Sequence, residues 1–351
     1  MKILLKLLGL TVGLPTVAIA LFYFWGSSGG HRQQNYADTV VYTKGGGLND
    51  GAVFVPGETI HSIVSYNLGY LSGLTNNTTT KLECAAFDAN QQQVIRALKE
   101  LEPDIVALQE VDFGSKRSCY VDQSKAIAQG LGLDFGAIAI GWDKNYVPFP
   151  YWPPAAHFGK MLSGQSTISR HPIQENSRIV LEKVADNPFY YNAFYLDRLA
   201  QVTQIQFGVQ PLIVINVHLE AFNEPTRVSQ TQFVRSLAED YAKTYPVILV
   251  GDFNSALNRG TFIDASGANH GETQFSIKEM LASEVLVSAV PQSDWIKDLT
   301  FPSNQPEYKL DYIFYTPNTI EMVETQVVAA AGEASDHLPV MMRFRLRPDS
   351  L

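Results

Sequence analysis

The sequence predicts an α/β chain in which two β-sheets pack face to face, with helices on their outer sides. Two observations carry this. Short apolar, β-branched runs bounded by turn residues recur from about residue 62 to the C-terminus, and only a few segments of helical period separate them. Many buried strands with few helices are best satisfied by sheet-on-sheet packing with outer helices. There is no internal repeat, heptad or low-complexity domain.

The first element is apolar. "MKILLKLLGLTVGLPTVAIALFYFWGSSGG" places Lys2 and Lys6 before a stretch from Leu7 to Trp25 that is long enough to span a bilayer. The lysines should stay cytoplasmic, so the rest of the chain is expected to be exported. Residues 1–25 therefore read as a signal anchor, transmembrane if retained. The alternative is a signal peptide cut near Ala18-Ile19-Ala20. Residues 26–60, with "TKGGGLNDG", read as a flexible tether. A folded domain over 61–347 follows.

Within that domain, Ile63 to Tyr66 reads as a strand that ends at Asn67. Asp88 to Leu101 reads as a helix capped by Asp88 with Gln91, burying Val94, Ile95, Leu98 and Leu101. It stops before Pro103, and "DIVALQE" is the next strand. Asp122 to Gln129 is a second helix closed by Gly130. "DFGAIAI", "QSTIS", "LAQVTQIQF" and "PLIVINVHLE" read as strands. A helix opened by Glu224-Pro225 follows, its buried face including Phe233, Leu237 and Tyr241. The strand "VILVG", a short helix near 276–282, and the strands "LDYIFY", "TIEMVETQVV" and "LPVMMRFRL" complete the chain.

Composition narrows the function. The 351 residues carry a net charge of −9, and the first thirty hold two lysines and no acids, which leaves −11 on the remainder. Such a body lacks the basic footprint of a tight nucleic-acid binder, although a bound cation can invert the local field. Cys84 and Cys119 are the only cysteines, and export permits a disulfide between them.

The polar residues at strand ends form a pattern. Asn67, Glu110, His218, Asp252 with Asn254, Asp311, and Asp336-His337 each stand where an apolar segment meets a loop. One such residue is usually a turn former. If the strand ends converge, four carboxylates and two imidazoles surround one point, and such a cluster is stable only with a cation. Oxygen-rich ligation favours Mg²⁺ or Mn²⁺.

"SYNLGY", "IVALQEVD", "VINVHLE", "VGDFNS", "KLDYIFY" and "SDHLPV" occur in the order and form of the endonuclease/exonuclease/phosphatase superfamily, which the chain resembles over about residues 60–347. That group includes DNase I-like nucleases, bacterial sphingomyelinases and inositol-polyphosphate phosphatases. The resemblance implies a four-layer α/β/β/α sandwich and a metal-dependent phosphoric ester hydrolase. It implies that Glu110, Asn67, Asp252 and Asp336 serve the metal. Asp252 would position or deprotonate the attacking water, and Asn254, His218 and Asn67 would meet the phosphate. His337 would pair with Asp311, and either Asp252 or His337 would take the proton. "QEVDFGSKRSCYVDQ" and "HLEAFNEPTRVSQ" further resemble a bacterial branch related to proteins of glycosylphosphatidylinositol-lipid remodelling. Its own residues Asp112, Arg117, Asp122, Gln123, Glu220 and Arg227 would line the substrate pocket or brace loops.

Three other features bear on substrate. "NYVPFPYWPPAAHFGKMLSG" crowds aromatics among prolines, which suits a membrane interface. Arg170 in "SRHPI" is placed near substrate, and Lys309 either meets phosphate or lies in solvent. The expectation is a monomeric, Mg²⁺-dependent (or Mn²⁺-dependent) phosphodiesterase that meets a membrane surface and cuts a lipid-like phosphoester. An exported nuclease and an inactive binding protein on the same scaffold are the alternatives.

Overall fold

Buried runs of β-branched residues become strands here because both faces of each strand find an apolar partner. A computed structural model describes residues 9–42, 58–208, 210–257, 261–263, 269–271 and 275–347. In chain order come α1 (Leu14–Ser27), β1 (Ala37–Val41), β2 (His61–Asn67), α2 (Cys84–Lys99), β3 (Ile105–Asp112) and α3 (Gln123–Leu131). Next are β4 (Phe135–Val147), β5 (Gly159–Ser169), β6 (Ile173–Val180), α4 (Phe189–Phe194), β7 (Leu199–Phe207), β8 (Gln210–His218) and α5 (Glu224–Tyr241). The chain closes with β9 (Val247–Asp252), the short pair β10 (Thr261–Ile263) and β11 (Asn269–Gly271), β12 (Val287–Ser288), β13 (Asp311–Tyr315), β14 (Ile320–Val327) and β15 (Val340–Leu346).

One sheet has the order β1-β4-β5-β3-β2-β15-β14 and the other β12-β13-β9-β8-β7-β6. Ile63, Ile105, Val214, Ile248, Val250, Ile313 and Met342 fill the space between them. On β2 the neighbouring side chains Val64 and Tyr66 point the other way, into a core shared with Val94 and Leu98 of α2 and Ile127 of α3. The opposite sheet packs Ile215, Val217 and Leu249 against Val234 and Ala238 of α5. Four layers result, as the family resemblance implies.

β2 pairs parallel with β3, and β8 with β9, so all four strands end on one side of the sandwich. β13 and β15 run antiparallel to their neighbours β9 and β2 and begin there. Behind that edge, uncharged amides stitch the sheets together. Gln109 Nε2 donates to Asn216 Oδ1 at 2.7 Å, and Asn216 Nδ2 donates back to the carbonyl of Leu108 at 3.0 Å. Gln165 Nε2 donates to the carbonyl of Asn216 at 2.9 Å.

Several expectations need correction. Residues 26–60 are not tether throughout, because Ala37–Val41 pairs with Phe135–Ala139 as an edge strand; residues 43–57 lie outside the described residues. No helix among the described residues is long and apolar enough to cross a membrane, and residues 1–8 of the expected anchor are outside the described residues. Only the C-terminal end of α1 packs on the domain, and its apolar side chains Leu14, Val17, Ile19 and Leu21 are exposed. Phe22 packs on Tyr146 and Phe194 at centroid distances of 5.7 and 6.3 Å. Asn145 Nδ2 donates to the carbonyl of Trp25 at 3.0 Å, and the Asp143 carboxylate accepts from the backbone N–H of Gly30 and His31 at 2.9 and 2.7 Å.

Asp88 does not cap α2, which starts at Cys84 after Glu83. Asp122 does cap α3, accepting from Lys125 N at 3.0 Å, but the helix closes at Gly132, whose φ of 69° suits glycine. On α5 the buried face is turned to Val234 and Ala238, and Phe233 is exposed. Cys84 and Cys119 are disulfide-bonded with Cα atoms 5.8 Å apart, which joins the start of α2 to the loop after β3.

Candidate active site

The strand tips converge. From one sheet come Asn67, Glu110, Asp336 and His337, and from the other His218, Asp252, Asn254 and Asp311. Asn67 Nδ2 donates to Asp252 Oδ2 at 2.9 Å. His218 Nε2 lies 3.6 Å from the same Asp252 oxygen and 3.8 Å from Glu110 Oε1. His337 Nδ1 bonds Asp311 Oδ2 at 2.9 Å, and its Nε2 faces Asp252 Oδ2 at 3.8 Å. Asp252 itself is fixed by the backbone N–H of Asn254, 2.8 Å from Oδ1.

Local backbone irregularities aim these groups. The register of β3 shifts between Leu108 and Val111, and Glu110 within that bulge has φ +50°. Bulges turn a side chain out of the strand's alternation. Asn254 has φ +51°, which asparagine tolerates better than most residues. There its amide donates to the carbonyl of Leu219 at 3.0 Å.

The electrostatics follow from burial. Desolvation, then the Asp336 carboxylate, pushes the Glu110 carboxyl up to about 7. Desolvation, helped by Asp311, raises Asp252 to about 6, and burial raises Asp336 as well. Burial opposes the charge on His337, yet Asp311 and Asp252 overcome it and raise the ring to about 10. His218 is held well below its ordinary value by burial and by Arg198. The site thus pairs an imidazolium with a neutral imidazole.

Two residues escaped the sequence reading. Arg198, buried at the start of β7, donates from Nη1 to His218 Nε2 at 2.6 Å and has Nε 3.6 Å from Glu220 Oε2. A guanidinium only donates, so His218 Nε2 accepts here and its proton sits on Nδ1. Asn76 donates from a single amide nitrogen to Glu110 Oε2 at 2.9 Å and lies 3.3 Å from Asp336 Oδ2. Asn76 lies in a polar stretch and gave no signal, whereas Arg198 stands at the start of the strand "LAQVTQIQF" and was passed over for its residue type.

Arg170 is not at the site. It follows β5 at the opposite end of the sandwich, with Nε 3.4 Å from Asp104 Oδ1, because β5 runs antiparallel to β3. Lys309 is neither solvated nor aimed at phosphate: it is buried and paired with Asp298. Asp112, Arg117, Gln123, Glu220 and Arg227 brace the cleft wall. Arg117 makes two 3.0 Å bonds to Asp112 and stacks 3.2 Å from the Tyr70 ring centroid. Gln123 ties the Asp112 N–H to the Tyr70 carbonyl. Arg227 donates to the carbonyl of Glu220 at 2.8 Å. Tyr70, Trp142 and Leu196 form apolar walls of a cleft that also holds Glu110, Arg198 and His218.

The donor set fits a hard divalent cation. Glu110 and Asp336 share one amide nitrogen although both are buried, a charge arrangement that oxygen-ligated Mg²⁺ or Mn²⁺ relieves. Glu110 and Asp336, which share the Asn76 amide nitrogen, would hold it; Asp252 is not gathered with them and groups with Asp311 and His337. Both side-chain ends of Asn67 are already engaged, with Asp252 and with the N–H of Gly69, so Asn67 orients Asp252.

A stability measurement checks this charge arrangement. An acid whose pKa is raised by folding is indifferent below its unfolded value and destabilising above its folded one. In metal-free buffer the Tm of wild type should therefore fall relative to Glu110→Gln as pH rises from about 4.5 to about 7. Added Mg²⁺ should raise the wild-type Tm and raise that of the variant less. A pH-independent difference with no metal response would overturn the assignment.

Comparison with known proteins agrees with the fold. Residues 64–337 match the model of the Endonuclease/Exonuclease/phosphatase family. A UPF0294 protein of Vibrio cholerae is 31% identical over 137 residues, which are 39% of this chain and 41% of that protein, so the chain spans about two-fifths of that curated relative. The mannosyl-6-phosphatase of Bacteroides thetaiotaomicron superposes with TM-score 0.53 at 17% identity, covering 81% of this chain and 99% of that one. An endonuclease/exonuclease/phosphatase of Bacteroides vulgatus gives TM-score 0.56 at 17% identity, covering 83% and 100%. With a match across most of its length and a convergent set of strand-tip acids and histidines, the chain belongs to the endonuclease/exonuclease/phosphatase family.

Proposed function

We propose that the protein is an exported hydrolase that works at a membrane surface, cutting a phosphoester carried by a lipid or glycolipid. The observation that carries this is an exposed aromatic surface beside the cleft. Phe24, Trp25, Tyr151, Trp152, Phe189 and Tyr190 are all more than half exposed. α4 leads within four residues to Arg198, and Trp142, a cleft wall, donates its indole N–H to the carbonyl of Phe194 at 2.7 Å. Exposed apolar patches rimmed by polar residues mark interaction surfaces, and aromatic rings favour the water–lipid boundary. The disulfide supports an oxidising compartment. The likeness to the glycolipid-remodelling branch supports the substrate class. The aromatic-proline loop divides its work: Phe149 packs on Phe158 at 5.4 Å, while Trp152 faces out.

In this reading Asp252 takes the proton of the attacking water, because His337 is already protonated at neutral pH. The His337 imidazolium and the Arg198 guanidinium face the charge that grows on the phosphoryl oxygens. A bound divalent cation would add Lewis-acid polarisation of the same group.

A substrate panel in Mg²⁺ tests the proposal: vesicles carrying phospholipid or glycolipid phosphoesters, DNA and RNA, and soluble sugar phosphates. Turnover of the vesicle substrates, lost in excess chelator, is the expected result. The double variant Trp152→Ser, Phe189→Ser should lose at least ~10-fold on vesicles, the equivalent of about 1.4 kcal/mol of interfacial binding, and keep its rate on a soluble phosphoester. DNA cleavage without vesicle turnover would establish a nuclease instead.

A further inference from the structure

At the end of the sandwich opposite the catalytic cleft, His61 opens β2, Asp104 precedes β3 and His171 follows β5. We infer that His61, Asp104 and His171 form a second metal site, one that takes a zinc-type transition metal ion. His61 Nδ1 lies 4.0 Å from Asp104 Oδ2, and His171 Nε2 lies 3.9 Å from Asp104 Oδ1. One ligand atom from each of the three residues lies within 4.8 Å of the other two. These separations are too long for hydrogen bonds. A modest inward shift of the three side chains, roughly half an ångström, would bring the donors to the spacing of ligands around one ion at about 2.0–2.2 Å each.

The surroundings hold this geometry. His61 is 4% exposed. Both rings pack on Phe207, with centroids 4.8 Å away for His61 and 4.2 Å for His171. Asp104 is oriented by the Ser62 backbone N–H at 2.9 Å. Among the described residues His171 Nε2 is buried with no hydrogen-bond partner; with the ring proton on Nδ1 it offers a vacant lone pair that a metal ion would satisfy.

The donor set separates this site from the catalytic one. Two imidazoles and one carboxylate favour Zn²⁺, Co²⁺ or Ni²⁺, whereas carboxylate clusters favour Mg²⁺. Three protein ligands leave a fourth position for water. The Arg170 guanidinium near Asp104 opposes an added positive charge, but its side chain is 48% exposed and has room to swing away.

The test is Co²⁺ titration of the full chain with Mg²⁺ in excess to fill the carboxylate site, read by visible ligand-field absorption and by bound metal per chain. Wild type should bind one tight Co²⁺ that His171→Gln either lacks or binds at least ~10-fold more weakly, since even losing a supporting contact costs that much. Long-range ¹⁵N–¹H spectra of wild type should show the ring signals missing from His171→Gln shifting on addition of Zn²⁺. Equal Co²⁺ affinity and stoichiometry in wild type and variant, or wild-type His171 signals unmoved by Zn²⁺, would overturn the inference.

Discussion

Asp252→Asn lowers turnover by at least ~10²-fold, the scale of a lost acid–base group, and leaves the fold in place. The substitution keeps the volume, but an amide has one acceptor oxygen, so it keeps the bond from Asn67 or from the Asn254 N–H and not both, and it cannot accept the proton of water. His337→Ala should cost a similar factor by a different route. It removes an imidazolium whose charge is maintained by Asp311 at 2.9 Å, and leaves that buried carboxylate without its partner. The two variants differ in pH response. Burial raises Asp252 to about 6 although the His337 charge lowers it, so wild-type kcat should fall as pH drops through that region, and in His337→Ala the same limb should lie at higher pH. The measurement is steady-state kinetics on whichever phosphoester the substrate panel identifies, with circular dichroism as the check on folding. Near-normal turnover of Asp252→Asn would transfer the base role elsewhere.

Arg198→Lys is expected to cut kcat/KM by roughly 10²-fold, comparable to deleting one donor aimed at a developing oxyanion. Lysine keeps the charge opposite Glu220, so the buried acid is not stranded. It loses the planar fork that reaches His218 Nε2 at 2.6 Å and Glu220 at once. Arg198→Met should in addition destabilise the protein by about 3–5 kcal/mol, the cost of leaving a buried charge unpaired. A fully active Arg198→Lys enzyme would make this arginine a structural tie alone.

Much of this site was legible because a buried strand that ends in Asp, Asn, Glu or His announces its own tip. Asn67, Glu110, His218, Asp252, Asp311 and His337 all stand at such boundaries. Arg198 stands at such a boundary too, just before a strand as His337 and Asp311 do, but a lone arginine after an aromatic segment reads as solvent-facing. Asn76 sits in "LTNNTTT", where any polar residue is ordinary. The central strands were visible for the same reason as the site. β1 and β6 were not, because an edge strand such as "IQENSRIV" alternates with polar residues that pattern alone assigns to loop. Arg170 was misplaced because strand direction, which decides the end of the sheet a residue reaches, is a property of topology and not of local sequence.

The catalytic groups come half from each sheet, so a slide of one sheet against the other by a single residue, about 3.3 Å, would dismantle the site without breaking a strand. The Gln109–Asn216–Gln165 stitching resists that slide, and it contains nothing that titrates. Alignment of the two halves is therefore indifferent to acidity and little affected by salt, unlike the chemistry it supports. Removing the stitch, as in Asn216→Leu, would act as a mechanical fault: each sheet intact, the gap between His218 and Glu110 no longer held.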